Sequence, residues 1–482
     1  MIDSIYDPEA FRQAGHRLVD QLADYLLAAR QGQMPVLPEP APPTLAERYQ
    51  EAPPAEPAPD ALECLGRHVQ ELFDQSIHLQ HPGYIGHQVG APLPLASLTE
   101  LVTGVSNQSM PVYEMSPAAT HIERQTARWL CSLVGWGKDA DGVFTSGGSL
   151  GNLTALLVAR NHATGGAAWE KGARGGPPLA IMVSEHAHYS VARAAGILGL
   201  GQENVLLVPM DRLFRMETAA LAERYHTAVA QGKKVVAVVA SAGTTATGAF
   251  DPLREIGEFC RAHGVWFHVD GAHGASVLLS PPYRSLADGI ELAHSVVWDA
   301  HKLLSMPGLA TAVLFHQGSH GYEAFSQEAS YLFGRHAFPE YDLGLRTIEC
   351  TRPMQAWKLW ISFQLYGARG LGALVTQKLD RARAFAALLQ AQPDFELLTA
   401  PMCNILCFRH LPGGVKPQAS NLSLLNEHQA RIRQRVLTSR KFYLVQTRIG
   451  EALYLRCTLM NPHTTEQVLA GLIDLIRNCA AD

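Results

Sequence analysis

The stretch Val265-Trp-Phe-His-Val-Asp-Gly-Ala-His-Gly274, "VWFHVDGAHG", is largely apolar on both sides of an extended segment and ends on a carboxylate followed by small residues. A strand of that composition is buried on both faces, so it belongs inside a sheet covered by helices rather than at a solvated edge. Working outward, the same unit recurs in Gly142–Phe144, Leu179–Val183, Val205–Val208, Val235–Val239, Ser295–Trp298 and Ala310–Phe315, each separated from the next by a helical pattern or a short connection. The alternation predicts an α/β fold with a mostly parallel central sheet flanked by helices. One intervening helix is marked at both ends, with Asp251 as the expected N-cap, Pro252 in the first turn and Gly264 as the stop.

On either side of this core the pattern changes. Phe11, Leu18, Leu22 and Leu26 follow a helical period, and the nine prolines from Pro35 to Pro59 suggest an extended connector. This leader either packs on a partner or remains flexible. Beyond Gly367 a helix to about Ala391, strands over Asn404–Phe408 and Leu453–Arg456, and a helix to about Asn478 read as a smaller α+β domain. The expected division is therefore 1–80, a helix and proline-rich arm; 81–366, a large domain; and 367–482, a small one. At 482 residues with a net charge of −5, the chain offers no basic surface for nucleic acid. Its N-terminus does not resemble a signal peptide, no segment has the apolar length of a membrane span, and the eight scattered cysteines suggest reduced thiols. A cytoplasmic protein is expected.

Parallel sheets bind ligands beyond the carboxyl ends of their strands. After Phe144 comes Thr145-Ser-Gly-Gly-Ser-Leu-Gly-Asn152, either a tight turn or a cradle whose backbone N–H groups meet a phosphate at a helix N-terminus. Asp270 ends one strand, and Lys302 follows the next. The two could form a structural ion pair. His268-x-Asp270 and His186-x-His188 could also suggest a metal, but no third acid-rich element completes a ligand set. A phosphorylated aldehyde cofactor accommodates all of these features. Pyridoxal phosphate needs a lysine for a Schiff base, an acid at the pyridinium nitrogen, a flat group over the ring and a phosphate cradle. Lys302, Asp270, His188 and residues 147–152 supply them.

The chain resembles the group II pyridoxal-phosphate amino-acid decarboxylases, which act on glutamate, cysteine sulfinate, 2,4-diaminobutyrate or aromatic amino acids. The likeness rests on "HPGYIGHQ" (81–88), "NQSMPVYEMSPAATHIE" (107–123), "TSGGSLGNL" (145–153), "EHAHYSV" (185–191), "AGTTATGAFDPL" (242–253), "HVDGAHG" (268–274), "WDAHK" (298–302) and "ECTRPMQAWKLW" (349–360). It implies the fold type I architecture of pyridoxal-phosphate transferases and a homodimer with active sites at the interface, the N-terminal arm covering the partner. It further implies that Lys302 carries the cofactor, Asp270 meets the pyridinium, His188 stacks on the ring and Ala272 packs beneath it. Gly147, Gly148 and Ser149 would hold the phosphate beside His301, with Thr244 lining the cleft. His87, Ser109 and Arg456 would contact substrate. Tyr331, in "ASYLFGRH", matches a mobile-loop tyrosine that returns a proton to the α-carbon, which favours decarboxylation to an amine over oxidation to an aldehyde.

Two departures bear on this resemblance. Asp299 and Ala300 stand where many relatives carry asparagine and proline, a change expected to alter the turn without touching the lysine. His87 and Pro111 stand where glutamate decarboxylases carry glutamine and phenylalanine. A small polar or charged amino acid of the aspartate, glutamate, cysteine-sulfinate or diaminobutyrate type is the expected substrate. The alternatives are an aromatic substrate, oxidative deamination or transamination, a metal-dependent hydrolase on His268, Asp270 and His188, and a cofactor-binding scaffold without activity.

Overall fold

The computed structural model describes residues 5–38, 42–50, 52–173, 175–325 and 339–481. The chain divides into two compact units, one of Gln88–Arg383 with Thr399–Leu406, the other of Met1–His87, Ala384–Leu398 and Cys407–Asp482. The N-terminal residues thus group with the C-terminal region of the same chain.

The larger unit is built on seven strands, β1 (Asp141–Thr145), β2 (Leu179–Ser184), β3 (Val205–Val208), β4 (Lys234–Ser241), β5 (Trp266–Asp270), β6 (Ser295–Asp299) and β7 (Thr311–Phe315). Their order is β1-β7-β6-β5-β4-β2-β3. The neighbours from β3 to β6 are parallel, and β7 runs antiparallel to both β1 and β6. That exception follows from the chain. Only residues 300–310 join β6 to β7, too few for a crossover, so the second strand returns alongside the first. The expected mostly parallel sheet is present.

Side chains along β5 alternate between two covering helices. Phe267 faces the helix Leu253–His263, where a Cβ on Gly257 would lie 3.1 Å from its ring. His268 and Asp270 face the helix Gly148–Ala163 on the other side. Gly151 lets that second helix approach closely, because a Cβ there would meet Val297 at 3.1 Å and Thr311 at 3.3 Å. The helix Leu253–His263 ends at Gly264 as predicted, with φ 62°. Asp251 is not its cap. Its buried carboxylate instead accepts from the amides of Ser241 and Met216, both at 2.7 Å, and Pro252 takes the cap position.

In the smaller unit the helix Pro8–Arg30 has Asp7 as its cap, and Tyr25 stacks on Phe73 of the helix Ala61–Asp74 with ring centroids 3.9 Å apart. Residues 35–59 are not extended throughout, since Pro42–Arg48 is helical. Proline is compatible with a first helical turn, and Thr44-Leu-Ala-Glu-Arg48 contains none. A four-stranded sheet follows, ordered β10 (Val445–Ile449), β11 (Ala452–Thr458), β9 (Ile405–His410) and β8 (Phe395–Leu397). The helix predicted from Gly367 begins earlier, at Ala356 in the larger unit, and breaks at Gly367, whose φ of 64° with ψ of 166° is accessible only to glycine.

Candidate active site

A cavity of about 310 Å³ opens beyond the carboxyl ends of β1, β4, β5 and β6. Of the residues singled out from sequence, Gly147, Gly148, Ser149, His188, Thr244, Asp270, Ala272, His301 and Lys302 all line it. Ser109 lies in the same unit but not on this wall, and its hydroxyl is buried without a hydrogen-bond partner. His87 and Arg456 belong to the smaller unit, where His87 Nε2 lies 3.0 Å from the Tyr443 hydroxyl and Arg456 Nη1 donates to the Gly86 carbonyl at 3.4 Å. Tyr331 lies outside the described residues.

The cradle begins at Gly147, the N-cap of the helix Gly148–Ala163. Its φ of 100° and ψ of 159° need a residue without Cβ, and no side chain caps the helix. The first-turn amides and the helix dipole therefore face the cavity, an arrangement suited to an anion. Gly148 is crowded from the other side, since a Cβ on it would come within 3.0 Å of the Asp299 carboxylate.

Asp270, at the end of β5, accepts from Asn152 Nδ2 at 3.0 Å and from the Ala272 amide at 3.2 Å. Asn152 was expected at the edge of the phosphate cradle. One helical turn beyond Gly148, its amide instead turns toward Asp270 and the Ser190 hydroxyl, the latter at 2.9 Å. Its oxygen can only accept, so His268 Nε2, at 3.0 Å, carries the proton. His268 Nδ1 then accepts from Ser295 Oγ at 2.8 Å, and Ser295 Oγ accepts from Trp266 Nε1 at 2.9 Å. Burial pushes the His268 imidazole down to about 4, against the pull of Asp270, so it is neutral in this chain of bonds. Both its nitrogens are engaged, and among the described residues no three His, Cys, Asp or Glu side chains are grouped to hold a metal. The metal reading of His268-x-Asp270 has no support here.

Lys302 pairs with an acid, but that acid is Asp299. Its Nζ lies 3.0 Å from Asp299 Oδ2 across one turn, three residues apart. Asp299 therefore does touch the lysine, contrary to the sequence expectation, because the chain after β6 folds straight back on itself with the Lys302 amide 3.4 Å from the Asp299 carbonyl. His301 Nε2 is 3.5 Å from the same oxygen, and Thr311 Oγ1 donates to Oδ1 at 2.6 Å from the facing position on β7. Burial lowers the His301 and His188 pKa values, with nearby carboxylates acting the other way. His188 caps the helix Tyr189–Ile197, its Nδ1 within 2.8 Å of Ser190 Oγ. The Thr244 hydroxyl lies 2.9 Å from that of Thr247 and accepts from the Ala249 amide, which ties it into its own turn.

A glycine cradle at a helix N-terminus, an anchored carboxylate and a part-exposed lysine around one cavity fit pyridoxal phosphate. Residues 50–411 match the pyridoxal-dependent decarboxylase conserved domain. The chain belongs to that family. It is a pyridoxal-phosphate-dependent amino-acid decarboxylase. It is 34% identical over 390 residues to an L-aspartate decarboxylase of Metarhizium robertsii, covering 79% of this chain and 76% of that protein. With an aspartate 1-decarboxylase of Aliivibrio fischeri it shares 33% over 459 residues, 86% of this chain and 83% of the other. Among solved structures, mouse CSAD superposes with a TM-score of 0.92 at 28% identity, over 98% of this chain and 99% of that one.

Proposed function

We propose that this decarboxylase acts on a small acidic L-amino acid, aspartate or cysteine sulfinate foremost, and releases the corresponding amine and carbon dioxide. The curated relatives named for aspartate, together with a cysteine sulfinic acid decarboxylase of mouse that is 35% identical over 72% of this chain, support that class. Within the smaller unit, burial first and then Arg456 and Arg433 lower the His87 pKa. His87, Arg456 and Ser109 are the proposed substrate contacts.

The observation that carries the reading is the shared cavity of Lys302, Asp270 and the Gly147–Ser149 cradle. Pyridoxal phosphate, when bound, supplies a conjugated ring able to accept the electron pair released as the α-carboxylate departs. Lys302 would hold the cofactor through its ε-nitrogen, and residues 147–149 with His301 would hold its phosphate. Asp270, kept as an acceptor by two neutral donors, retains lone pairs for the pyridinium N–H. His188 and Ala272 would hold the ring, and Thr244 would line the cavity that takes it. Tyr331 would supply the proton returned to the α-carbon.

The active form is proposed to be a cytoplasmic homodimer. The helix Pro94–Ser106 leaves Leu95, Leu98, Leu101, Val102 and Val105 each more than 40% exposed, an apolar surface suited to a second copy. Among the described residues no helix is long and apolar enough to cross a membrane, and all eight cysteines are free. The test is a spectrum of the purified protein, borohydride trapping with mapping to Lys302, and a panel of acidic, basic and aromatic amino acids scored for carbon dioxide, amine, ammonia and peroxide. Amine from an aromatic substrate alone, or aldehyde with ammonia and peroxide, would overturn the reading. Sedimentation of the same sample tests the dimer.

A further inference from the structure

Asp299 has a role that its position in the strand alone does not explain. Its side chain is 2% exposed, and a carboxylate at that depth needs compensation. It has three partners: Thr311 Oγ1 at 2.6 Å fixes Oδ1, while Lys302 Nζ at 3.0 Å and His301 Nε2 at 3.5 Å share Oδ2. Its other neighbour is Gly148, the first residue of the cradle helix. The most buried acid of the cavity is therefore committed to the lysine nitrogen that has to react.

We propose that Asp299 is a positioning residue that holds the Lys302 ε-nitrogen at the cradle in an ion pair and must release it before the lysine can take up the cofactor's aldehyde. This rests on Lys302 being the cofactor lysine. An ammonium has no lone pair and cannot attack a carbonyl carbon. In the coupling step the ε-nitrogen forms a double bond to the aldehyde carbon, the aldehyde oxygen leaves as water with two of the nitrogen's protons, and the third proton goes to solvent. Lys302 is 22% exposed, which gives that proton a way out. Pairing with Asp299 stabilises the reactant and slows the step. Once the lysine is neutral, His301 remains as the partner for Oδ2, and Thr311 keeps Oδ1 in place. The titratable groups around Lys302 are Asp299 and His301 on its own turn, His188, Asp270 and His273 on the same cavity, and Lys358, which acts on His301.

The test follows the absorbance of full-length enzyme, stripped of cofactor, as it combines with pyridoxal phosphate and, separately, with unphosphorylated pyridoxal. Asp299→Asn keeps the shape and a partner for Thr311 but not the charge. It is expected to load both aldehydes about ten-fold faster than wild type. Thr311→Val keeps the charge but removes the hydroxyl that shares the carboxylate with Lys302, which strengthens the pairing, and is expected to load about three-fold slower; it decides the matter if the first variant does not fold. Rates within two-fold of wild type in both variants, slower loading by Asp299→Asn, or faster loading by Thr311→Val would overturn the proposal. So would acceleration confined to the phosphorylated aldehyde, because the carboxylate would then be acting on the phosphate. A wild-type protein that forms no borohydride-reducible chromophore at Lys302 would instead remove the functional reading on which this rests.

Discussion

Asp270 and Asp299 end neighbouring parallel strands and open onto one cavity, yet they are held in opposite ways. Asp270 receives neutral donors, Asn152 Nδ2 and the Ala272 amide, backed by His268, Ser295 and Trp266. Asp299 is held by the Thr311 hydroxyl, by Lys302 and by the His301 ring. The difference separates two uses of one residue type. A carboxylate fixed by neutral donors keeps its charge available to a cation that arrives with a ligand, whereas one paired to an internal cation has its charge already satisfied.

The comparison breaks most visibly at the residues that meet the cofactor. Lys302→Ala is expected to abolish the borohydride-reducible absorption and reduce decarboxylation to background, as read by spectrum and carbon dioxide release. Asp270→Asn keeps the shape and removes the charge, and kcat should fall by roughly 10²-fold or more, with the protein still folded. If Asp270→Asn retained wild-type kcat, the assigned contrast between the two acids would be wrong.

Smaller effects sharpen the support behind Asp270. Asn152→Leu leaves His268 and Asp270 each short of a buried partner and should cost about 1–3 kcal/mol in urea unfolding, with weakened cofactor binding. His268→Leu should cost a similar amount. The double variant should cost less than the sum, because both changes cut one chain of bonds. Additive costs would mean that the chain is not a unit.

The pH dependence follows from His268. Its folded pKa, about 4, lies below the ordinary value near 6.5, so the unfolded chain binds the proton more readily. The stabilising contribution of the neutral ring is complete above about pH 6.5 and is lost as pH falls toward 4. Wild type should lose stability across that window more steeply than His268→Leu, as measured by unfolding at each pH. The smallest effect is at the far end of the chain, where Ser295→Ala should cost about 1 kcal/mol and leave kcat nearly unchanged.

Much of the larger unit was legible because short apolar runs alternating with helices admit few arrangements other than a covered, mainly parallel sheet. The ends of those runs then marked the cavity, and most of its lining residues were named from sequence. Pairings were harder to read. Asn152 lies 118 residues from Asp270 and meets it only because the helix Gly148–Ala163 crosses β5 at that rotation. Asp251 carries the composition of a helix cap, but the amides of Ser241 and Met216 reach its carboxylate first.

The amino-acid sequence by itself determined the strands, the glycine cradle, the acid and lysine at the strand ends, and through its motifs the family. These depend on residue type and short spacing, which act locally. The tertiary structure alone decided that Lys302 is paired with Asp299 and not Asp270, that Asn152 and His268 serve Asp270, and that residues 1–87 group with the C-terminal region. Those choices depend on strand register, helix rotation and the tightness of one turn. Burial then makes them selective, because a polar group removed from water must bond with whatever the fold brings within about 3 Å.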